Sequence, residues 1–185
     1  MTGTVLVADD HPLFRQALRL AVEKILPEAA IAEAGTLATA VAAATAAPDL
    51  RLILLDLKMP GATGYSGIAL LHAECPDVPI LVVSSAEGAA AADEARAFGA
   101  IGFLHKGSDL GAIEAAVAAA IGRRSAPRSP APDSATDEIR ETVASLTPTQ
   151  LKVLLAVLGG QLNKQIAHNL GISEATVKAH MTAIM

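Results

Sequence analysis

The first two thirds of the chain alternate short apolar runs with longer segments in which apolar residues recur every three or four positions. The short runs are typical of strands buried on both faces, and the periodic segments are typical of amphipathic helices. We expect strands near residues 4–8, 30–34, 50–55, 79–84 and 101–104. We expect helices near residues 12–26, 36–46, 65–74, 87–98 and 108–121. Five such units predict an α/β fold with a five-stranded, doubly wound parallel sheet, for which the strand order 2-1-3-4-5 is usual.

The first of these helices shows the pattern well. Pro12 stands at its start, where a missing backbone N–H costs nothing. One stripe of the helix is apolar, and we expect that stripe to face the sheet. Its members are Leu13, Phe14, Ala17, Leu18, Ala21, Val22 and Ile25.

The alternation stops after residue 122. Residues 123–145 contain several prolines and no apolar period, which is typical of a solvated linker. Helical patterns return from residue 146 onwards. We therefore expect a first domain over residues 1–122, a linker over 123–145 and a small all-α domain over 146–185.

Three short helices are predicted in the last segment. Thr147 and Gln150 form a capping box around Pro148, and the first helix ends near Gly160. Asn163 is the candidate cap of the second helix, which extends to Leu170. Gly171 predicts a tight turn, and Ser173 is the candidate cap of the third helix, which continues to Met185. Three helices with a glycine turn before the last are typical of a helix-turn-helix.

Composition and charge restrict the class of protein. The chain has 52% hydrophobic residues and a net charge of −5, which argues against non-specific nucleic-acid binding by the whole molecule. Residues 1–122 hold 7 basic and 14 acidic residues, whereas residues 146–185 hold Lys152, Lys164 and Lys178 against Glu174 alone. A single cysteine, no signal-peptide pattern and no apolar run long enough for a bilayer lead us to expect a cytoplasmic protein without a membrane partner.

Candidate chemistry gathers at the ends of the predicted strands. Asp9 and Asp10 follow the first strand, Asp56 ends the third, Ser84 ends the fourth and Lys106 follows the fifth. In a parallel sheet these ends share one edge, where open α/β sheets bind their ligands. Three adjacent carboxylates need a counter-charge, and Mg²⁺ suits such an all-oxygen set.

The same cluster is suited to phosphoryl transfer. A lysine ammonium and a serine hydroxyl can each contact a phosphoryl oxygen, so positioning and charge neutralisation can carry the reaction. Asp56 is the natural nucleophile, and its product is an acyl phosphate on aspartate.

Residues 1–122 resemble the receiver domain of two-component response regulators, which has a flavodoxin-like fold. The matching elements are Val7-Ala8-Asp9-Asp10-His11, Leu55-Asp56-Leu57-Lys58-Met59-Pro60-Gly61, Ser84 and Gly99-Ala100-Ile101-Gly102-Phe103-Leu104-His105-Lys106. The resemblance implies that Asp56 accepts a phosphoryl group from a sensor histidine kinase.

The resemblance also implies roles for the neighbouring residues. Asp9, Asp10, Asp56 and the backbone carbonyl of Lys58 would hold Mg²⁺, and Lys106 would contact the phosphoryl group. Ser84 and Phe103 would act as the switch that responds to phosphorylation.

Two positions depart from the more common receiver pattern, and a third, Lys58, is next to the phosphorylation site. Many receivers have a proline with a cis peptide bond after the lysine, but here Gly107 follows Lys106, so we expect a trans bond. Phe103 stands where tyrosine is more common, so a switch through a phenol hydroxyl is not expected there. The Lys58 side chain lies beside the phosphorylation site, and we expect it to affect the lifetime of the phosphate.

Residues 146–185 resemble the helix-turn-helix of LuxR/NarL-type regulators. The matching elements are Leu146-Thr147-Pro148, Val153-Leu154, Gly160, Asn163-Lys164-Gln165-Ile166-Ala167, Leu170, Ile172-Ser173 and Thr176-Val177-Lys178-Ala179-His180. The resemblance implies that Lys178, Ala179 and Thr182 meet double-stranded DNA and that Lys164 contacts a phosphate. The family has a longer third helix and a fourth helix for dimer contacts, so we expect a truncated domain here and a homodimer when the protein is phosphorylated or full-length.

The sequence thus indicates a phosphorylation-dependent transcriptional regulator and not an enzyme. Two alternatives remain open at this stage. The first is a phosphate-independent DNA- or protein-binding module with a vestigial acidic site. The second is a Mg²⁺-dependent aspartyl-phosphate phosphatase, although such enzymes usually have a second acid two residues after the nucleophile, where this chain has Lys58.

Overall fold

We describe residues 3–85, 89–121, 146–158 and 160–184 of the protein, as a computed structural model. The chain divides into two compact units, residues 1–131 and residues 132–185. The predicted linker over 123–145, the first predicted residues of the fourth helix and Met185 lie outside the described residues.

The first unit is a five-stranded sheet flanked by five helices. Its strands are β1 (Thr4–Ala8), β2 (Ala30–Ala34), β3 (Leu50–Asp56), β4 (Ile80–Ser84) and β5 (Gly102–His105). Its helices are α1 (Pro12–Ile25), α2 (Leu37–Ala46), α3 (Ser66–Glu74), α4 (Ala89–Ala97) and α5 (Leu110–Ile121). All neighbouring strands are parallel, in the order β2-β1-β3-β4-β5, so the predicted α/β class and strand order are confirmed.

Alternation along the strands builds two cores, one on each face of the sheet. In β1, Leu6 and Ala8 belong to one core, whereas Val5 and Val7 belong to the other. The second core receives the buried residues of α1 and α5, and the first receives those of α2, α3 and α4. Because successive strand residues point to opposite faces, continuous apolar runs are what such a two-sided sheet requires.

One predicted core position is wrong. Leu13 lies in the first turn of α1 and is 89% exposed, although Leu18, Ala21 and Val22 of the same predicted stripe are buried. Leu13 is the second residue of the helix, and its side chain lies outside both cores. Phe14, the next residue, is half-buried and packs against the second core.

An aromatic contact joins α3 to the end of α4. The rings of Tyr65 and Phe98 are stacked, with centroids 5.5 Å apart and an interplanar angle of 9°. The Tyr65 hydroxyl also hydrogen-bonds to Glu94 of α4, and burial together with this acidic partner raises the pKa of the phenol. Ala95 of α4 is fully buried in the first core, and Phe98, which follows the helix, packs against the same core.

The second unit contains three helices, α6 (Pro148–Leu158), α7 (Asn163–Leu170) and α8 (Glu174–Ile184). Their core consists of Val153, Ile166, Ala167 and Val177. The predicted capping box is present, because the Thr147 N–H donates to Gln150 Oε1 at 2.8 Å and the Gln150 N–H donates to Thr147 Oγ1 at 3.3 Å. These two bonds satisfy donors that the start of α6 would otherwise leave unpaired.

The turn between α7 and α8 is as predicted, but the cap of α7 is not. Gly171 has a φ of 66° in the left-handed region, and Ser173 Oγ accepts a hydrogen bond from the Thr176 N–H at 3.0 Å. Asn163, however, is already the first helical residue. The preceding Leu162 N–H donates to Gln165 Oε1 at 2.9 Å, so a glutamine one turn later does the capping.

No helix in the described part of the chain has both the length and the apolar character that crossing a bilayer requires. The described residues also contain no cis peptide bond, so the expected trans bond between Lys106 and Gly107 is present.

Candidate functional site

The carboxyl ends of four strands bring the candidate acidic and polar residues to one edge of the sheet. Asp9 directly follows β1, Asp56 ends β3 and Ser84 ends β4, and all three residues are almost completely buried. Lys106 directly follows β5, and its backbone N–H donates to the Ser84 carbonyl at 2.9 Å. The parallel order of the sheet therefore places these residues side by side, although they are far apart in sequence.

Lys106 joins the acids of two different strands. Its Nζ lies 2.6 Å from Asp9 Oδ2 and 2.8 Å from Asp56 Oδ2. Burial acts to lower the pKa of Lys106, but the hydrogen bonds and charges of Asp56 and Asp9 outweigh it and raise that pKa above its usual value. The ammonium therefore stays charged and acts as an internal counter-ion of the acidic cluster.

Backbone N–H groups orient the two buried carboxylates. The His11 N–H donates to Asp9 Oδ1 at 2.8 Å, and the Lys58 N–H donates to Asp56 Oδ1 at 3.0 Å. In both cases the donor is two residues further along the chain, which is the usual way for an aspartate to bond to its own turn. Each carboxylate thus has one oxygen held by its loop and the other directed at Lys106.

The acidic cluster has the properties of a cation site. One potential ligand atom from each of Asp9, Asp10, His11 and Asp56 lies within 4.8 Å of the others. Asp9 Oδ2 and Asp10 Oδ1 are buried, and their nearest polar neighbours among the described residues are Lys106 Nζ at 2.6 Å and His11 Nδ1 at 2.7 Å. Adjacent buried carboxylate oxygens with so few partners favour a hard divalent cation, and these residues therefore fit Mg²⁺.

Asp56 is reached from a cavity of about 380 Å³. The residues around this cavity come from the loops after four strands and from the first turn of α1, and they are His11, Leu13, Phe14, Asp56, Lys58, Ser85 and Lys106. Leu13 and Lys58 are exposed there. A donor molecule can approach Asp56 by this route even though the aspartate itself is only 2% exposed.

Phe103 lies away from the charged atoms. It pairs with Val82 in the sheet, two residues before Ser84, and packs against the first core, which also includes the Tyr65 and Phe98 rings at its margin. The residue is half-buried. Phe103 belongs to β5, which contacts α4, so a change of the Phe103 rotamer would alter the packing beside that helix.

Two contacts in the site have no counterpart among the predicted site residues. The Phe14 ring lies under the Lys106 ammonium, with Nζ 5.0 Å from the ring centroid. Arg15 donates from Nη1 to the Asp9 backbone carbonyl at 2.7 Å. The short loop between β1 and α1 keeps the first turn of α1 near the end of β1, but no periodicity in the sequence encodes these two contacts.

The candidate DNA-binding residues are on the surface of the second unit. Lys178, Ala179 and Thr182 of α8 are exposed, whereas Val177 is buried in the core. Lys164 of α7 is exposed too, and it lines the same depression of about 710 Å³ as Lys178 and Thr182. The Thr182 hydroxyl donates to the Lys178 carbonyl at 3.0 Å. Three of the four candidate residues therefore line one depression, and Ala179 is exposed on the same helix.

Comparison with known families matches both units. Residues 5–118 match the response regulator receiver domain, and residues 144–185 match the bacterial regulatory proteins of the luxR family. The first match covers more than half of the chain.

Individual proteins agree with these matches. The chain is 35% identical over 193 residues to the glycerol metabolism activator of Pseudomonas putida, covering 98% of this chain and 87% of that protein. It is 32% identical over 191 residues to the nitrate/nitrite response regulator protein NarP of Escherichia coli, covering 98% and 86%. The signal receiver domain of NarL from Mycobacterium tuberculosis superposes with a TM-score of 0.56 at 33% identity, covering 66% of this chain and 98% of that one.

Proposed function

Because the chain belongs to the response regulators that join a receiver domain to a LuxR-type helix-turn-helix, we propose that Asp56 is the residue that a sensor histidine kinase phosphorylates. Members of this family are phosphorylation-dependent transcriptional regulators that act on DNA, and this chain is one of them. A protein-glutamate methylesterase also matches, but over only 58% of the chain and 32% of its own length. The regulator, and not that enzyme, is therefore the relevant class.

The environment of Asp56 is the observation that carries the proposal. Its carboxylate ends a buried strand, receives the Lys58 N–H on one oxygen and the Lys106 ammonium on the other, and borders the open cavity. In the transfer, a bond forms between an Asp56 oxygen and phosphorus while the bond from phosphorus to the kinase histidine nitrogen breaks. The product is an acyl phosphate, and the Asp56 carboxylate charge is replaced by the charge of the phosphoryl group.

We assign the neighbouring residues to this reaction by their positions. The Lys106 ammonium is close enough to Asp56 to meet a phosphoryl oxygen, and the Ser84 hydroxyl, at the end of the adjacent strand, would donate to another. Asp9, Asp10, Asp56 and the Lys58 carbonyl would hold Mg²⁺. The ion would supply positive charge that neutralises the transferring group. Ser84 and Phe103 would relay the change towards α4.

The domain roles follow from the same proposal. Residues 1–122 form the receiver, residues 123–145 the linker and residues 146–185 the DNA-binding domain. Lys178, Ala179 and Thr182 would enter the major groove from α8, and Lys164 would contact a phosphate. Two copies would bind two half-sites, and phosphorylation would shift the population of the paired state in the cytoplasm.

Intact-mass measurement after incubation with Mg²⁺ and a small-molecule phosphodonor tests the proposal. We expect one phosphoryl group on the natural chain and none on Asp56→Ala. Asp49→Ala is the matched control, because Asp49 is 61% exposed and precedes the same strand at its opposite end. Labelling that persists in Asp56→Ala would contradict the assignment of Asp56. An unmodified natural chain, where a control receiver is labelled, would favour the vestigial acidic site.

A further inference from the structure

Three of the described residues lie close to the Lys106 ammonium, and two of them are acids. Asp9 and Asp56 contact it from the strand ends. The third is the Phe14 ring, whose centroid lies 5.0 Å from Nζ, within the range of a cation–π interaction. The Lys106 side chain is only 15% exposed, so little water competes with this contact and the attraction is stronger than at an open surface.

Phe14 is held in place independently of the charges in the site. Its backbone N–H donates to the His11 carbonyl at 3.1 Å in the first turn of α1. The adjacent Arg15 ties the same turn to the loop after β1 through the Asp9 carbonyl at 2.7 Å. The ring itself packs against the second core of the receiver. None of these contacts involves the side chain of Asp9 or Asp56.

The ring differs from the acids in a way that matters for phosphoryl transfer. When Asp56 becomes an acyl phosphate, Lys106 exchanges a carboxylate partner for phosphoryl oxygens. The face of an aromatic ring attracts the ammonium through its quadrupole, yet it carries no net charge. It can thus hold the lysine before and after transfer without repelling an incoming, negatively charged phosphoryl group.

We propose that Phe14 is a positioning residue for phosphorylation, which holds the Lys106 ammonium beside Asp56 through the face of its ring. This inference rests on the proposed function of Asp56 and Lys106. It gives a role to an apolar residue that would otherwise count only as part of the α1 core stripe. It also explains why the ring lines the cavity through which Asp56 is reached.

The first test compares phosphorylation rates of variants with a small-molecule phosphodonor at saturating Mg²⁺. Phe14→Leu retains an apolar side chain but has no ring face, and we expect its rate constant to fall about three- to tenfold. Phe14→Tyr retains the ring, and we expect a rate within about twofold of the natural chain. Thermal unfolding of each variant separates this effect from a loss of folded protein.

The second test changes the ring charge distribution but hardly its size. Phenylalanines with increasing numbers of ring fluorines are introduced site-specifically at position 14, and the same series is introduced at Phe98, which stacks on Tyr65 in the other core. We expect the rate to fall steadily with fluorination at position 14 and to stay constant at position 98. A merely structural role for Phe14 predicts a flat series at both positions.

Nuclear magnetic resonance gives a readout that does not depend on activity. A ring over the ammonium shifts the Lys106 ε-methylene protons upfield, and we expect Phe14→Leu to abolish this shift. An unchanged shift, a flat fluorine series or a rate for Phe14→Leu equal to that of the natural chain would overturn the proposal. A natural chain that takes up no phosphoryl group would overturn the proposed function and this inference together, whereas normal labelling with a flat series would overturn only the role of Phe14.

Discussion

The acidic site of the receiver and the DNA-facing surface of α8 display charge in opposite ways. In the receiver, Asp9 and Asp56 are buried, and each has one oxygen bonded to a backbone N–H and the other directed at Lys106. On α8, Lys178 is exposed and forms no ion pair with any acid of the described residues. The charges of the receiver site are held together by residues from several strand ends, whereas the exposure of Lys178 depends only on which face of α8 it occupies.

This difference determines what a mutation can do. Removing one partner from a buried set of charges leaves the others without compensation, so both folding and chemistry should suffer. Removing an exposed charge from a helix surface should change the interaction with the partner and leave folding almost unaffected. Substitutions of Lys106, Lys178 and Lys58 test this contrast, and two glycine substitutions compare the backbones of the two units; the expected effects decrease in the order given below.

Lys106→Met should have the largest effect, because it leaves Asp9 and Asp56 adjacent and without their counter-ion. We expect the rate of phosphorylation to fall about a hundredfold. We also expect the free energy of unfolding without metal to fall by about 2 kcal/mol, less than for a fully buried ion pair because Lys106 retains some solvent contact. Denaturant unfolding and intact-mass kinetics measure the two effects.

The response of the melting temperature to Mg²⁺ provides a second test of Lys106. The ion should raise the melting temperature of Lys106→Met more than that of the natural chain, since it replaces the missing positive charge. Arg96→Met is the control, because Arg96 and its partner Asp93, 2.9 Å apart, are both more than half exposed, and loss of this pair should lower the free energy of unfolding by less than about 1 kcal/mol. Equal Mg²⁺ responses in Lys106→Met and the natural chain would contradict the counter-ion role of Lys106.

Lys178→Ala should weaken binding to target DNA about tenfold and leave the free energy of unfolding within about 0.5 kcal/mol of its original value. The substitution should also reduce the difference in affinity between target and unrelated DNA, because we propose that Lys178 contacts the edges of the bases. Lys164→Ala provides the comparison, since a phosphate contact should weaken all sequences equally and make binding less dependent on salt. Titrations at several salt concentrations distinguish these results, and an equal loss on all sequences for Lys178→Ala would contradict its assignment.

Gly171→Ala should destabilise the helical unit by about 1 kcal/mol, because a side chain at a φ of 66° is strained although no atom lies within 4 Å of its Cβ.

Gly67→Ala in α3 should stabilise the receiver by about 0.5 kcal/mol, because its Cβ would make ordinary contacts and helix formation would cost less entropy. Circular dichroism during unfolding measures both. DNA binding should fall only for Gly171→Ala, and a loss of phosphorylation in that variant would indicate unexpected coupling.

Lys58→Ala should have the smallest effect. The side chain is exposed and lines the Asp56 cavity, whereas the backbone N–H that orients Asp56 is retained in the variant. We expect the rate of phosphate loss to change about two- to threefold, as for other exposed charges. The decay of the phosphorylated mass measures this rate, and Lys58→Arg should restore it. An unchanged decay in Lys58→Ala would exclude a role of the Lys58 charge in the lifetime of the phosphate.

The sequence predicts the fold of the receiver closely because its signals are local and repeated. Each strand and helix lies within about two residues of its predicted range, which is the accuracy that helix ends allow. Leu13 and Asn163 show where local signals fail. The apolar stripe of α1 does not reveal which of its residues the core covers, and Leu13 is left exposed. At the start of α7, the cap position is occupied by Leu162 and not by Asn163, and the Leu162 N–H bonds to the Gln165 side chain.

The site is predicted less completely than the fold, for a different reason. Asp9, Asp10, Asp56, Ser84 and Lys106 are evident because strand ends meet at one edge in any parallel sheet. The Phe14 contact depends on how α1 packs against the loop after β5, and no periodicity encodes that packing. Whether Lys106 lies between the acids or away from them is likewise decided by distances that appear only in three dimensions.

The stacked pair between α3 and α4 has a consequence for spectroscopy. The chain contains one tyrosine and no tryptophan, so apart from the weak emission of its three phenylalanines its intrinsic ultraviolet emission comes from the Tyr65 ring. That ring lies against Phe98, and its hydroxyl is bonded to the Glu94 carboxylate, a neighbour that can accept the phenol proton in the excited state and quench the emission. The protein therefore has an intrinsic fluorophore at the contact between α3 and α4. The emission intensity of Tyr65 reports whether this contact is formed, without any added dye.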